Sequence, residues 1–317
     1  MVSSTPEIAV IIPCYNEAAT IGSVIEGIRQ VRSGLTIYVY DNNSTDGTAQ
    51  AASQHHVNVR EETIQGKGNV VRRMFADVEA DIYVLIDGDD TYDTNGLNRL
   101  IEKLVNEKLD MVTGSRIEMD RDAYRFGHRF GNRLLTAITR LLFGKQPSDL
   151  LSGYRVMSRR FVKSFPAVSS GFEIETELTI HALSLNIPTA EVETPYRKRP
   201  VNSTSKLNTY LDGARILAAI LLFTKEERPF LFFSLLSFML AALSLYLGVS
   251  VTFEFFETGL VPRFPTAILS TSIMLLAFLS FTTGMILDSV ARGRREQKRL
   301  AYLGLDWLKH RTSLNED

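Results

Sequence analysis

The chain has 317 residues, 35 Lys and Arg against 36 Asp and Glu, and a formal net charge of −1, so no global basic field supports a nucleic-acid partner. Its length fits one domain of about 200 residues with a full core and something smaller beside it. A single cysteine, Cys14, excludes an internal disulfide and reads first as a small buried residue.

In chain order, IAVIIP from Ile8 predicts a strand, Ala18 to Val31 a helix, TIYVYD from Thr36 a strand and Thr45 to His55 a helix. Gly68 to Val78 predicts a further helix, DIYVLID from Asp81 a strand, Thr94 to Asn106 a helix and MVTGSR from Met111 a strand. This alternation reads as an α/β domain around a mostly parallel sheet. Near-continuous apolar runs such as Tyr83 to Ile86 suit a sheet covered on both faces. Ligands of such sheets sit at the carboxyl ends of the strands. The polar strand ends PCYNE, DNNSTDG and DGDD therefore predict one functional edge.

Asp87-Gly88-Asp89 after an apolar strand suits a divalent cation, which takes one or two carboxylates and completes its shell with water and phosphate oxygens. Taken alone, the pattern is equally a solvated acidic turn. GKG at Gly66 to Gly68 presents Lys67 to a phosphate or simply caps a helix; it is not a Walker A sequence, and no G-x-G-x-x-G follows the first strand. The stretch Asp120 to Gly144 is rich in arginine and aromatics, and its second half, Leu134 to Phe143, predicts an apolar helix. Arg116, Arg125, Arg129 and Arg133, with Arg197 and Arg199 later, offer cations for phosphate or for anionic lipid. GFEIETELTIHALSLNI predicts a helix with its acids toward the cleft or in its first turn.

The last third is different. Phe230 to Phe253 and Phe264 to Leu287 carry no charge, and each exceeds the ~20 residues that cross a bilayer. An amphipathic juxtamembrane helix is expected just before them. The connector Glu254 to Arg263 holds one Arg against two Glu, whereas Arg292, Arg294, Arg295, Lys298 and Arg299 follow the second run. The positive-inside bias then puts the connector outside and both termini in the cytoplasm. No cleavable signal is expected, because the apolar run Ile8 to Ile12 is short and lacks a basic flank.

IIPCYNEAATI, DNNSTDGT, GKG, LIDGDDTYD, GSR, SDLLSGYRVMSRR and STSKL, in this order, resemble the family 2 glycosyltransferases with the GT-A fold. With the two C-terminal spans, the chain is similar to the polyprenyl-phosphate branch, which includes dolichyl-phosphate mannose synthases and bacterial polyprenyl-phosphate glucosyltransferases. The resemblance implies a GT-A domain at 1–206, a juxtamembrane helix at 207–229, a transmembrane hairpin at 230–288 and a basic cytoplasmic tail at 289–317. It implies that Pro13, Tyr15, Glu17, Asp41 and Lys67 hold a nucleotide-sugar. Asp87 and Asp89 would frame Mg²⁺ or Mn²⁺ on its diphosphate. Asp149 would be the catalytic base or the carboxylate that orients the acceptor. Arg116, Arg129, Arg133, Arg199 and Lys206 would engage the phosphate of a polyprenyl acceptor.

The implied reaction inverts at the sugar C1, with UDP-glucose favoured over GDP-mannose or another UDP-sugar as donor. A homotetramer in a bacterial inner membrane is part of the same expectation. Two departures stand out: the mannose synthase branch carries Gln shortly after its acidic pair, where this chain reads Asp87-Gly88-Asp89-Asp90-Thr91, and Asn202 lies where glycine is common. A processive polysaccharide synthase would carry Q-x-x-R-W and more spans, and the only tryptophan here is Trp307. A membrane-anchored nucleotide-sugar sensor would keep nucleotide binding while Asp149 and the arginines were dispensable.

Overall fold

The computed structural model describes residues 6–118, 148–197 and 209–306. Its α/β unit comprises Met1–Ala219 together with Lys298–Asp317, and a second unit comprises Ile220–Gln297. In the α/β unit the strands are β1 (Ile8–Cys14), β2 (Thr36–Asp41), β3 (Asn58–Glu61), β4 (Ile82–Leu85), β5 (Met111–Glu118), β6 (Arg155–Ser158) and β7 (Thr189–Tyr196). They form one sheet in the order β3-β2-β1-β4-β6-β5-β7, parallel except where β6 runs against β4 and β5.

Period-two alternation divides the core between the two faces. Val10 and Ile12 of β1 pack with Ile21, Val24, Ile25 and Ile28 of α1 (Ile21–Val31) and with Leu97, Leu100 and Leu104 of α4 (Leu97–Asn106). Ala9 and Ile11 point the other way, onto Val70, Val71 and Met74 of α3 (Lys67–Asp77), Phe161 of α5 (Arg159–Ser164) and Ile174 and Leu178 of α6 (Ile174–Ser184). Each fully buried Leu or Ile contributes roughly 1.5–3 kcal/mol, so every residue of β1 being buried makes it the spine of the unit.

The predicted strands and helices of the first 118 residues are present, with three helix starts moved by three residues; the one expected from Thr94 begins at Leu97, behind a 3-10 turn at Thr94–Gly96. The helix expected from Ala18 begins at Ile21, because residues 18–20 form a turn in which the Glu17 carbonyl accepts from Thr20 N and Ile21 N. The helix expected from Thr45 begins at Thr48 as α2 (Thr48–Ser53), where Asp46 takes the orphan N–H of Thr48. Strands β3, β6 and β7 are additions to the predicted set. They are short or mixed in polarity, and β7 includes Pro195 at the edge of the sheet.

In the C-terminal part, α7 is Thr209–Glu227, α8 is Pro229–Thr258 and α9 is Phe264–Leu303. Both α8 and α9 are long and apolar enough to cross a membrane. They pack through small polar residues. Ser244 Oγ donates to Ser270 O at 2.8 Å and Ser270 Oγ donates to Ser244 O at 3.0 Å. Ser237 Oγ donates to Ala277 O, and Ser280 Oγ to Phe233 O. Small residues let the two backbones approach, and every one of these hydroxyls finds a carbonyl, as an apolar solvent requires. α9 continues beyond the expected span end near 288, and its last residues, from Lys298, count with the α/β unit.

Candidate active site

Parallel strands β1, β2 and β4 bring Cys14, Asp41 and Leu85 to the same sheet edge, with Cys14 in register with Asp41. The antiparallel β6 starts at that edge, so the segment leading into it, with Asp149, Ser152 and Gly153, arrives there too. The PCYNE and DNNSTDGT turns are latched to each other. Asn16 N donates to Ser44 Oγ (2.8 Å), Thr45 N to Asn16 Oδ1 (2.8 Å), Glu17 N to Thr48 Oγ1 (2.8 Å) and Ala18 N to Asp46 Oδ2 (3.0 Å). Asn16 and Asn43 adopt left-handed backbone, at φ 52° and 60°, a conformation asparagine tolerates. Most polar groups of the two motifs thus serve to build the turn.

Two oxygens are exceptions. Asp41 is buried; Oδ2 accepts from Ser44 N at 3.1 Å, while Oδ1 has no hydrogen-bond partner. Glu17 Oε2 is likewise buried and unpartnered. Burial, reinforced by the charges of Asp89 and Asp87, pushes the Glu17 carboxyl up to about 8. Pro13 is paired with Tyr40 in the β1–β2 ladder, and Tyr15 follows β1 half-buried.

At the end of β4, Asp89 is buried and its Oδ1 accepts from Thr91 N (3.2 Å) and Thr91 Oγ1 (2.5 Å), which fixes its rotamer. Thr91, in the stretch that departs from the mannose synthase pattern, therefore orients the acid. Asp87 Oδ1 pairs with Lys67 Nζ at 2.6 Å, and the same Nζ lies 2.5 Å from Glu175 Oε1 on α6. Gly153 packs against the Asp87 carboxylate so closely that a Cβ there would overlap it, nearest to Oδ2. The GKG glycines have a packing reason: Gly66 is at φ 132°, Gly68 N donates to Ser170 O at 3.0 Å, and a Cβ on either would collide with the Ser169–Ser170 backbone.

Asp149 and Arg116 meet directly. Arg116 Nε donates to Asp149 Oδ2 at 2.5 Å and its second terminal nitrogen to Oδ1 at 2.7 Å, a bidentate fork, with the Tyr196 ring centroid 5.3 Å from the guanidinium carbon. Arg155 holds the segment that carries Asp149. Fully buried, it donates to the carbonyls of Leu150, Ser152 and Glu175 and to Thr179 Oγ1. Arg197 pairs with Asp93 at 3.1 Å. Arg125, Arg129, Arg133, Arg199 and Lys206, and the helix expected at Leu134 to Phe143, lie outside the described residues.

The described residues that the sequence singles out are placed on this edge: Pro13, Tyr15, Glu17, Asp41, Lys67, Asp87, Asp89, Arg116 and Asp149. Sequence reasoning missed Glu175, Gly153 and Arg155 as individual residues, although the acidic α6 and the SGYR motif pointed to their neighbourhood. A divalent cation fits the donor set. Asp87 and Asp89 offer the two carboxylates such an ion takes before it finishes its shell on water and phosphate oxygens; among the described residues no group of three acids, histidines or cysteines could hold an ion by itself. Glu17 Oε2 is unpartnered, in a carboxyl raised first by burial and then by the charges of Asp89 and Asp87.

Residues 9–165 match the family described as Glycosyl transferase family 2. Glycosyltransferase AglJ of Haloferax volcanii is 30% identical over 298 residues, covering 93% of this chain and 97% of AglJ. The dolichyl-phosphate hexose transferase of the same organism is 29% identical over 222 residues, 70% of this chain and 96% of that protein. Among solved structures, glucosyl-3-phosphoglycerate synthase from Mycobacterium tuberculosis in complex with Mn²⁺, UDP and phosphoglyceric acid superimposes with a TM-score of 0.56 at 25% identity, over 69% of this chain and 79% of that one. The α/β unit has the GT-A fold, and with AglJ alike over nearly its whole length, the chain belongs to the family 2 glycosyltransferases.

Proposed function

We propose that the protein transfers a hexose from a nucleotide-sugar, UDP-glucose favoured, to polyprenyl phosphate at the cytoplasmic face of a bacterial inner membrane. The products are a β-linked polyprenyl-phosphate sugar and a nucleoside diphosphate. One observation carries this reading: a carboxylate pocket at the end of β4 shares a chain with two helices of bilayer length. A donor pocket alone is common to the family, whereas the helices favour an acceptor that lives in the membrane. The dolichyl-phosphate hexose transferase supports a lipid phosphate, and the synthase solved with UDP supports a uridine donor.

In this reading Asp41 Oδ1 and the Glu17 carboxyl take up the nucleoside through the hydrogen-bonding capacity the fold leaves unused. Asp87 and Asp89 hold the divalent cation, Mg²⁺ or Mn²⁺, which when bound neutralises charge on the leaving diphosphate. The acceptor phosphate oxygen attacks C1 in line from the opposite side, forming the C1–O bond as the bond to the diphosphate breaks. A phosphate monoester is already anionic at neutral pH, so positioning rather than proton removal is the main demand. Asp149 meets it by fixing the Arg116 guanidinium beside the acceptor, a group whose charge suits phosphate as well as carboxylate. Arg129, Arg133, Arg199 and Lys206 complete the acceptor site in this proposal, and a homotetramer is the expected assembly.

The test is transfer of labelled sugar from a panel of UDP- and GDP-sugars to polyprenyl phosphate by the purified protein, with Mg²⁺ or Mn²⁺ and with EDTA. Metal-dependent labelling of the lipid from one donor, reduced at least ~100-fold in Asp89→Asn and Asp149→Asn, is the expected result. Nucleotide binding without lipid labelling from any donor would sink the reading and favour a binding protein.

A further inference from the structure

Lys67 is the cation common to Asp87 and Glu175, and its place has a consequence for donor binding. Lys67 and Glu175 are nearly dry, with side chains 11% and 4% exposed, so neither charge is stable there without the other. Asp87 is the more open partner at 23%. Gly153 lies flat against its carboxylate, nearest to Oδ2, and Lys67 holds Oδ1. A cation that comes to Asp87 therefore meets an oxygen already paired with an ammonium. Glu175 meanwhile has capacity in reserve: Oε1 accepts from Lys67, while Oε2 is buried with no hydrogen-bond partner. An ammonium has three donors, so Lys67 can turn a second N–H from Asp87 to Glu175 without losing ionic contact.

We propose that Glu175 is a positioning residue that receives Lys67 when the donor's divalent cation takes Asp87. The inference rests on the reading of Asp87 and Asp89 as the metal carboxylates. Lys67 then acts as an internal stand-in for the metal: it neutralises Asp87 in the empty pocket and withdraws to Glu175 when the donor arrives. The exchange keeps the half-buried Asp87 carboxylate from ever facing the pocket without a cation, which is the costly state. It also tells the roles of two acids apart. Asp87 touches the cation, whereas Glu175 acts through Lys67.

The measurement is Mn²⁺ affinity, read by electron paramagnetic resonance of free Mn²⁺, for the full-length protein in detergent, saturated with whichever of UDP and GDP binds. Glu175→Gln leaves Lys67 with Asp87 as its one anionic partner and should weaken Mn²⁺ binding about tenfold or more. Glu175→Asp keeps the charge but shortens the reach to Lys67, and should weaken it similarly, which separates contact from net charge. Lys67→Met should bind Mn²⁺ at least as tightly as the wild type. Lys67→Met combined with Glu175→Gln removes the pair as a unit and should restore affinity to within about threefold of wild type. Wild-type affinity in Glu175→Asp, or a double variant as weak as Glu175→Gln, overturns the exchange while leaving the metal reading in place. Nucleotide binding by the wild type that is indifferent to Mn²⁺ overturns the metal reading and the exchange with it.

Discussion

Glu17, Asp41 and Glu175 each carry a carboxylate oxygen that folding has removed from water without supplying a partner. Such atoms typically cost about 1–3 kcal/mol, so a pocket that gathers several is held together by the rest of the fold and is ready to repay a ligand. His181 is the counterexample, buried and unpartnered away from that pocket. Its ring lies edge-on to Phe161 and Phe165, with centroids 5.5 and 5.4 Å away, and neither nitrogen has a hydrogen-bond partner. Burial, helped by the nearby positive charge of Lys298, lowers its pKa to about 3. The folded state thus resists protonation of a group that protonates near 6.5 when unfolded, so its contribution to stability is full above 6.5 and is lost as pH falls toward 3. Glu17 works in the opposite sense: with its carboxyl raised to about 8, its contribution is full below 4.5 and is lost as pH rises through 8. A comparison with a variant isolates the histidine. His181→Leu should gain about 2 kcal/mol relative to wild type between pH 6.5 and 5, read from thermal unfolding at both pH values. Parallel pH profiles for the two proteins would refute the assignment.

Among elements, the end of α9 is the one whose role the hydropathy pattern hid. Asp110, fully buried between α4 and β5, accepts from Ser158 Oγ (2.6 Å), from Arg160 through Nε (2.6 Å) and a terminal nitrogen (2.7 Å), and from Tyr302 Oη (2.7 Å). The Arg160 guanidinium lies 4.8 Å from the Tyr302 ring centroid, and Arg299 donates to the Leu185 carbonyl. Tyr302, within the stretch expected to be a basic tail, closes this network around buried Asp110, in which each member supports the others. Tyr302→Phe removes a hydrogen bond to a charged acceptor and should cost about 2 kcal/mol, seen as a lower Tm with activity per folded molecule unchanged. Asp110→Ala strands Arg160 and should cost about 3–5 kcal/mol by the same measurement. An unchanged Tm in both would show that the network contributes nothing to folding.

At the scale of the whole molecule, the charge bias around α8 and α9 predicts that the connector faces away from the side of the termini. The single cysteine, Cys14, is buried, so an introduced cysteine reports cleanly. Leu260→Cys in intact cells should react with a membrane-impermeant maleimide, and Leu300→Cys should react only after lysis. The reverse pattern would invert the orientation. The local sequence by itself determined much here. Short, nearly continuous apolar runs specify β1, β2 and β4, and 3.6-residue patterns specify most of the early helices, because each segment buries apolar side chains. Uncharged length specifies α8 and α9, because hydrocarbon admits few other segments. The acidic end of β4 is legible for the same reason, since charge directly after a buried strand stands out. Tertiary structure alone decided the pairing of Arg116 with Asp149, the sharing of Lys67 between Asp87 and Glu175, the antiparallel β6 and the docking of Tyr302 on Asp110. These partners lie 20 to 192 residues apart in sequence, and an ion pair or hydrogen bond between side chains leaves no periodic trace in either segment. Only the fold brings the two halves within reach, and only then does a buried charge select its partner.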